Sequence, residues 1–185
     1  MAILLWANCE VLAGYWHTQT LRVNSRLTWA DTLKYIHMTL FLAADHAGFK
    51  LKEKIRVLLA KQKVAFDDLT PKFKADDDYP LVANKLVQRT TYNVQRGTRY
   101  VVRGVLICGS GVGVCIAANR HKGIRAAVGE NEKEIKRARE HNDINVLCLS
   151  GWDLTTEKAL KIINAFLKTK KSSSARHLRR IKQLG

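Results

Sequence analysis

Cys108 is followed at once by Gly109-Ser110-Gly111-Val112-Gly113, an order of residue types that can do chemistry. With Val105-Leu106-Ile107 before it and Val114 to Asn119 after it, the segment reads as strand, glycine-rich turn and helix. Glycines at 109, 111 and 113 let backbone N–H groups crowd around an oxyanion or a phosphate at a helix N-terminus. No Gly-Lys-Ser/Thr follows, so this is not a Walker loop. The dinucleotide fingerprint fails too, because Gly109-x-Gly111-x-x ends on Val114. A tight turn with no ligand satisfies the same spacing. A cysteine in such a place is ordinarily buried and structural. Facing several inward N–H groups and a helix N-terminus, however, its thiolate should be favoured. It could then take a proton from a carbon beside a carbonyl while the turn stabilises the enediolate oxygen.

Two other clusters invite attention. Asp45-His46-Ala47-Gly48 closes an apolar run and could bind sugar hydroxyls and phosphate, or could be a helix N-cap with an incidental histidine. His141, in Arg139-Glu140-His141-Asn142-Asp143, is either a dipole-favoured helix-end residue or an acid–base group. Cys115 and Cys148 read as core. His17, His37 and His121 are given no role.

The elements that must position these residues follow from the hydrophobic pattern. Strands are expected at 39–44, 64–66, 101–108, 124–128 and 145–150. Helices are expected at 49–62, 81–88, 114–120, 130–141 and 157–167. The continuous apolar run before Cys108 suits a strand covered on both faces. The alternation predicts an α/β fold: a Rossmann-like, doubly wound parallel sheet of about five strands in three αβα layers. Ligands bind outside the carboxyl ends of such strands. Residues 1–37 lack periodicity and are expected to be an extension outside the fold, leaving 38–185 as the functional domain.

Composition narrows the partners. The 185 residues carry a formal charge of +16, which favours anions without choosing among them. The charge is spread, with denser patches at 88–103 and 168–182, rather than gathered into a stripe with aromatic residues. No run approaches the roughly 20 apolar residues of a membrane span. The four cysteines form no CxxC pair and no metal-ligand spacing with histidine, pointing to a reducing, cytoplasmic setting.

Six segments, in order, resemble the type B ribose-5-phosphate isomerases, a family that includes galactose-6-phosphate isomerase subunits. They are Ala44–Lys52, Asp77–Pro80, Leu106–Gly113, Ala117–Ala127, Ala138–Asp143 and Arg176–Ile181. The resemblance implies interconversion of D-ribose 5-phosphate and D-ribulose 5-phosphate, a step of the pentose phosphate pathway, through an enediolate and without metal or organic cofactor. Cys108 would be the base. The family's variant with a glutamate base does not apply, since 112–116 hold no carboxylate. Ser110 and the amides of Gly109, Gly111, Val112 and Gly113 would hold the enediolate oxygens. Asp45 would bind sugar hydroxyls, and His141 would assist ring opening beside Asn142. His46, Arg176 and Arg180 would grip the phosphate, with Arg125 a weaker candidate. The resemblance also implies a homodimer or dimer of dimers sharing its sites, with the His141 and Arg176–Arg180 regions coming from the neighbouring chain. The loop 89–99 and the 37-residue extension depart from the family pattern. An allose- or galactose-6-phosphate isomerase is the near alternative. A basic nucleic-acid-binding protein on a degenerate isomerase scaffold is the distant one, and no specific nucleic acid is expected.

Overall fold

The structure is a computed structural model describing residues 39–95 and 102–184, with side chains 39 and 91–95 outside the description. Residues 1–38 and 96–101 therefore lie outside it, and with them the extension and part of the basic loop. Five strands, β1 (Thr39–Ala44), β2 (Phe66–Asp68), β3 (Val102–Cys108), β4 (Ala126–Val128) and β5 (Val146–Ser150), form one parallel sheet in the order β2-β1-β3-β5-β4. Six helices occur among the described residues: α1 (His46–Lys61), α2 (Tyr79–Gln95), α3 (Val112–Asn119), α4 (Glu132–Asn142), α5 (Thr156–Lys168) and α6 (Ala175–Gln183).

The central strands β1, β3 and β5 are apolar on both faces because each face is covered. Leu40, Leu42, Val105, Ile107, Leu147 and Leu149 pack against Leu51, Ile55, Ile135, Ile162 and Phe166 of α1, α4 and α5. Phe41, Ala43, Leu106, Cys108 and Cys148 face Val82, Leu86, Val114 and Ala118 of α2 and α3. This is the predicted three-layer αβα arrangement. Cutting a fully buried residue such as Ile107 to alanine would cost about 2–5 kcal/mol.

Several boundaries differ from the pattern reading, each for a local reason. Helix α1 begins at His46 rather than Phe49, because the Asp45 carboxylate accepts the Gly48 N–H at 2.9 Å and caps the first turn. Strand β2 starts two residues late, paired with Leu40–Leu42 of β1. Helix α2 runs on to Gln95, so the first half of the expected basic loop is helical. The buried Thr90 hydroxyl donates to the Leu86 carbonyl at 3.0 Å, hiding a polar side chain on the apolar face. The basic segment after Ser174 is also a helix, α6, anchored by the buried His177.

Candidate active site

β1 and β3 are neighbours whose chains leave the sheet in different directions, so their carboxyl ends bound a crevice. Asp45 follows β1, and its N–H donates to the Ile107 carbonyl at 3.1 Å, which sets Asp45–His46 beside Cys108. Cys108 ends β3, and its thiol receives the Gly111 N–H at 3.1 Å. That bond exists because Gly111 turns back with φ +80°, and a Cβ there would stand 2.9 Å from the Leu149 carbonyl carbon. Glycine is the residue that meets both demands.

The cradle's carbonyls are tied away from the crevice. Gly151 and Trp152 N–H groups donate to the Cys108 and Gly109 carbonyls at 2.8 and 3.1 Å. The Ser150 hydroxyl lies 2.8 Å from the Gly109 carbonyl and 2.6 Å from an Asp153 carboxylate oxygen. Trp152 covers one side of Gly109, and Tyr79 packs against Gly113. What the turn offers outward is the N-terminus of α3, whose first amides have no partner within the helix. Two amides expected there are engaged within the turn: Gly111 N–H on the Cys108 sulfur, and Val112 N–H, which donates to the Ser110 hydroxyl at 3.3 Å. Cys108 itself is only 4% exposed, with the exposed Ser110 beside it. A cleft of about 360 Å³ between α1 and the start of α5 is lined by Lys50, Lys54, Gly151 and Thr156, and includes none of the expected site residues.

Charge in the crevice is held by burial and by the loop after β2. Asp45 is nearly inaccessible, and burial raises its carboxyl above the ordinary aspartate range against the lowering Gly48 bond. His46 is half exposed, and its Nδ1 lies 3.0 Å from the Asp77 carboxylate. That bond is the first cause of an imidazole pKa raised above the usual value. The buried Lys52 ammonium binds the Asp68 carboxylate and the Thr70 carbonyl at 2.5 and 2.8 Å. The same ammonium also pairs with Glu53 at 2.8 Å, so loss of Asp68 leaves it one carboxylate, whereas loss of Lys52 would strand the Asp68 charge and cost about 3–5 kcal/mol.

The remaining expected residues stand at the other edge of the sheet. Arg125 precedes β4, and its guanidinium donates to the Asn142 and Asp143 carbonyls and the Asp143 carboxylate. Asp143 ends α4 in the left-handed region at φ 49°, clamped also by Arg139 at 2.6 Å. His141, exposed on the last turn of α4, stacks on His177 of α6 with centroids 4.4 Å apart and planes 5° from parallel. Burial first, then repulsion from the neighbouring His141, Arg176 and Arg180, lowers the His177 imidazole below its ordinary value. Arg176 and Arg180 are exposed, four residues apart on one face of α6, and form no ion pair among the described residues. Because Cys108 lies opposite Ser150 and Gly104 opposite Val146, the length of β5 separates the two groups, about 13 Å at ~3.3 Å per residue.

So Asp45, His46 and Cys108 to Gly113 come together, while Arg125, His141, Asn142, Arg176 and Arg180 gather elsewhere. Sequence reasoning passed over Asp77, Tyr79 and His177, although all three lie in the quoted motifs. Asp77 was hidden among three consecutive aspartates, and only its partner distinguishes it.

A profile described as Ribose/Galactose Isomerase matches residues 40–184. The probable ribose-5-phosphate isomerase B of Mycoplasma genitalium is 41% identical over 150 residues, covering 78% of this chain and 92% of that protein. The ribose-5-phosphate isomerase B of Mycobacterium tuberculosis is 36% identical over 145 residues, 78% of this chain and 86% of its own. Among solved structures, a ribose 5-phosphate isomerase from Thermotoga maritima superposes with TM-score 0.72 and 36% identity, over 80% of this chain and 97% of that one. The Mycoplasma genitalium enzyme, solved with bound ribulose-5-phosphate, gives 0.66 and 41% over 80% and 95%. A parallel five-strand sheet, a thiol over a glycine cradle and these matches agree, and the chain belongs to the ribose/galactose isomerase family.

Proposed function

We propose that the protein interconverts D-ribose 5-phosphate and D-ribulose 5-phosphate in the cytoplasm, with Cys108 as the base. The observation that carries this reading is the Gly111 N–H directed at the Cys108 sulfur at 3.1 Å, at the N-terminus of α3 and beside Asp45. An N–H donor and a helix N-terminus both suit negative charge on sulfur. In the forward direction the thiolate takes the proton from C2 of the opened aldose. The C–H electron pair becomes the C1–C2 double bond, and the carbonyl pair moves onto O1. The thiol then returns the proton to C1, the O2 hydroxyl proton passes to O1, and C2 becomes the ketone carbon. Ser110 and the cradle amides not bound within the turn hold the enediolate oxygens, and Asp45 orients a hydroxyl.

Ring opening and phosphate binding fall to His141, Asn142, Arg176 and Arg180 of a second copy, with His46 of the first, while Arg125, its guanidinium tied to Asn142 and Asp143, steadies the end of α4. The separation of the two groups across the sheet supports a site completed by a homodimer. So do the exposed apolar side chains of Leu81, Val112, Ile116 and Trp152 near the cradle. The solved relative that holds ribulose-5-phosphate supports the pentose phosphate as substrate. No helix among the described residues is long and apolar enough to cross a membrane.

Steady-state kinetics with ribose 5-, allose 6- and galactose 6-phosphate test the assignment. The expected result is the highest kcat/KM with the pentose phosphate. A preference for a hexose phosphate would replace the substrate, and no turnover of any would overturn the reading.

A further inference from the structure

We propose that Asp77 is a positioning residue for phosphate recognition, holding the His46 imidazole by Nδ1 so that Nε2 is the edge offered to the anion. The proposal deepens the reading above and rests on it for the identity of that anion. Three aspartates stand in a row, yet Asp77 alone is drawn inward: its side chain is 15% exposed, whereas Asp76 and Asp78 are open to solvent. One of its oxygens accepts twice from the same residue, from the His46 backbone N–H at 2.8 Å and from Nδ1 at 3.0 Å. The first bond locks the opening residue of α1; the second locks its ring. A carboxylate only accepts, so Nδ1 carries the proton and Nε2 is left to face outward.

The far end of the same loop is pinned as well. The Ala44 N–H donates to the Thr70 hydroxyl at 2.9 Å, and buried Lys52 holds Asp68 and the Thr70 carbonyl. Both ends of the Leu69–Asp78 loop are thus fastened to the junction of β1 and α1, where Asp45 and His46 stand. Among the described residues, the charged groups acting on the imidazole are Asp45 in its own turn and Asp77 on the loop. Together they favour the protonated ring, which meets a phosphate with both an N–H and a positive charge. The sign follows: His46 stays cationic above its ordinary value while Asp77 is present, and without it the charge is lost as pH rises through about 6.5.

Asp77→Asn keeps the side chain's shape and removes its charge. Asp76→Asn removes the same charge one residue away and touches no histidine. In the full chain, Asp77→Asn should raise KM for ribose 5-phosphate about 5–10-fold near pH 7.5, with kcat changed less than about twofold. The KM difference should shrink below about pH 6, where the imidazole is protonated in both proteins. The His46 ring resonances, followed by NMR, should titrate at lower pH in Asp77→Asn and unchanged in Asp76→Asn. An unshifted His46 titration, or a KM increase of equal size at every pH, overturns the proposal. The NMR arm needs no turnover. A protein that failed every isomerase assay would therefore remove the functional reading, and the titration would still decide for or against the Asp77–His46 coupling.

Discussion

At the carboxyl edge of the sheet Cys108 and Asp45 are buried and held by the backbone; at the amino edge Arg176, Arg180 and His141 are exposed. Cys108 and Asp45 are each 4% exposed and are fixed by N–H donors from Gly111 and Gly48. Arg176, Arg180 and His141 lie open on α6 and α4, and the His141 ring stacks on His177. The first arrangement suits proton transfer, which needs atoms held in place before the substrate arrives. The second suits capture of an anion, because exposed guanidinium groups keep their charge and their fork free for phosphate. In one chain the length of β5 lies between the two groups.

The sharpest way to break this contrast is Cys108→Ala. It should lower kcat by about 10³-fold or more, within reach of general-base loss, while calorimetry still detects ribose 5-phosphate binding. Retained turnover would remove Cys108 as the base. Next in size is complementation between copies. Cys108→Ala and His141→Ala are each expected to be inactive, and unfolding and refolding them together should restore about a quarter of wild-type activity. Random pairing makes half the dimers mixed, and each mixed dimer has one intact site of two. No recovery would mean that each chain builds its site alone.

Arg180→Ala should act more mildly, raising KM about tenfold with kcat within about threefold, because it removes a contact present before and during the reaction. An unchanged KM would place Arg180 outside the phosphate site. The smallest effect concerns stability. Burial raises the Asp45 carboxyl in the fold, so its contribution favours the native state at low pH and turns unfavourable as pH rises from the unfolded value through the folded one. Asp45→Asn keeps an oxygen for the Gly48 N–H and should therefore melt slightly higher than wild type near pH 7, the gain vanishing below about pH 3.8. A lower melting temperature at neutral pH would show that the charged form is needed for the cap. Unlike the catalytic variants, this one probes what the buried edge costs the fold.

Much of the carboxyl edge could be read from residue order. Cys108-Gly-Ser-Gly-Val-Gly113 is local: a strand end, a left-handed glycine and a helix start are adjacent in the chain, and their chemistry follows from spacing. The parallel α/β fold was legible for the same reason, since each strand and helix carries its own period. The amino edge was less so. Arg176–Arg180 reads as a charged run, and only packing against α4 makes it a helix with His177 turned inward under His141. The helical course of α2 past Arg89 was obscured by polar residues such as Thr90, whose burial depends on a hydroxyl bonding back along the helix.

By itself, then, the order of residues determined the layers, the central apolar strands and the thiol-and-glycine turn, because these depend on neighbours a few positions apart. Tertiary structure alone decided the strand order that puts β1 beside β3, and with it the meeting of Asp45 and Cys108. It also decided which of three aspartates grips His46, and that the arginines stand at the opposite edge from the sulfur. Those outcomes relate residues from 31 positions apart, as His46 and Asp77, to 72 apart, as Cys108 and Arg180, and only the register of a close-packed sheet brings such distant groups within bonding reach or keeps them from it.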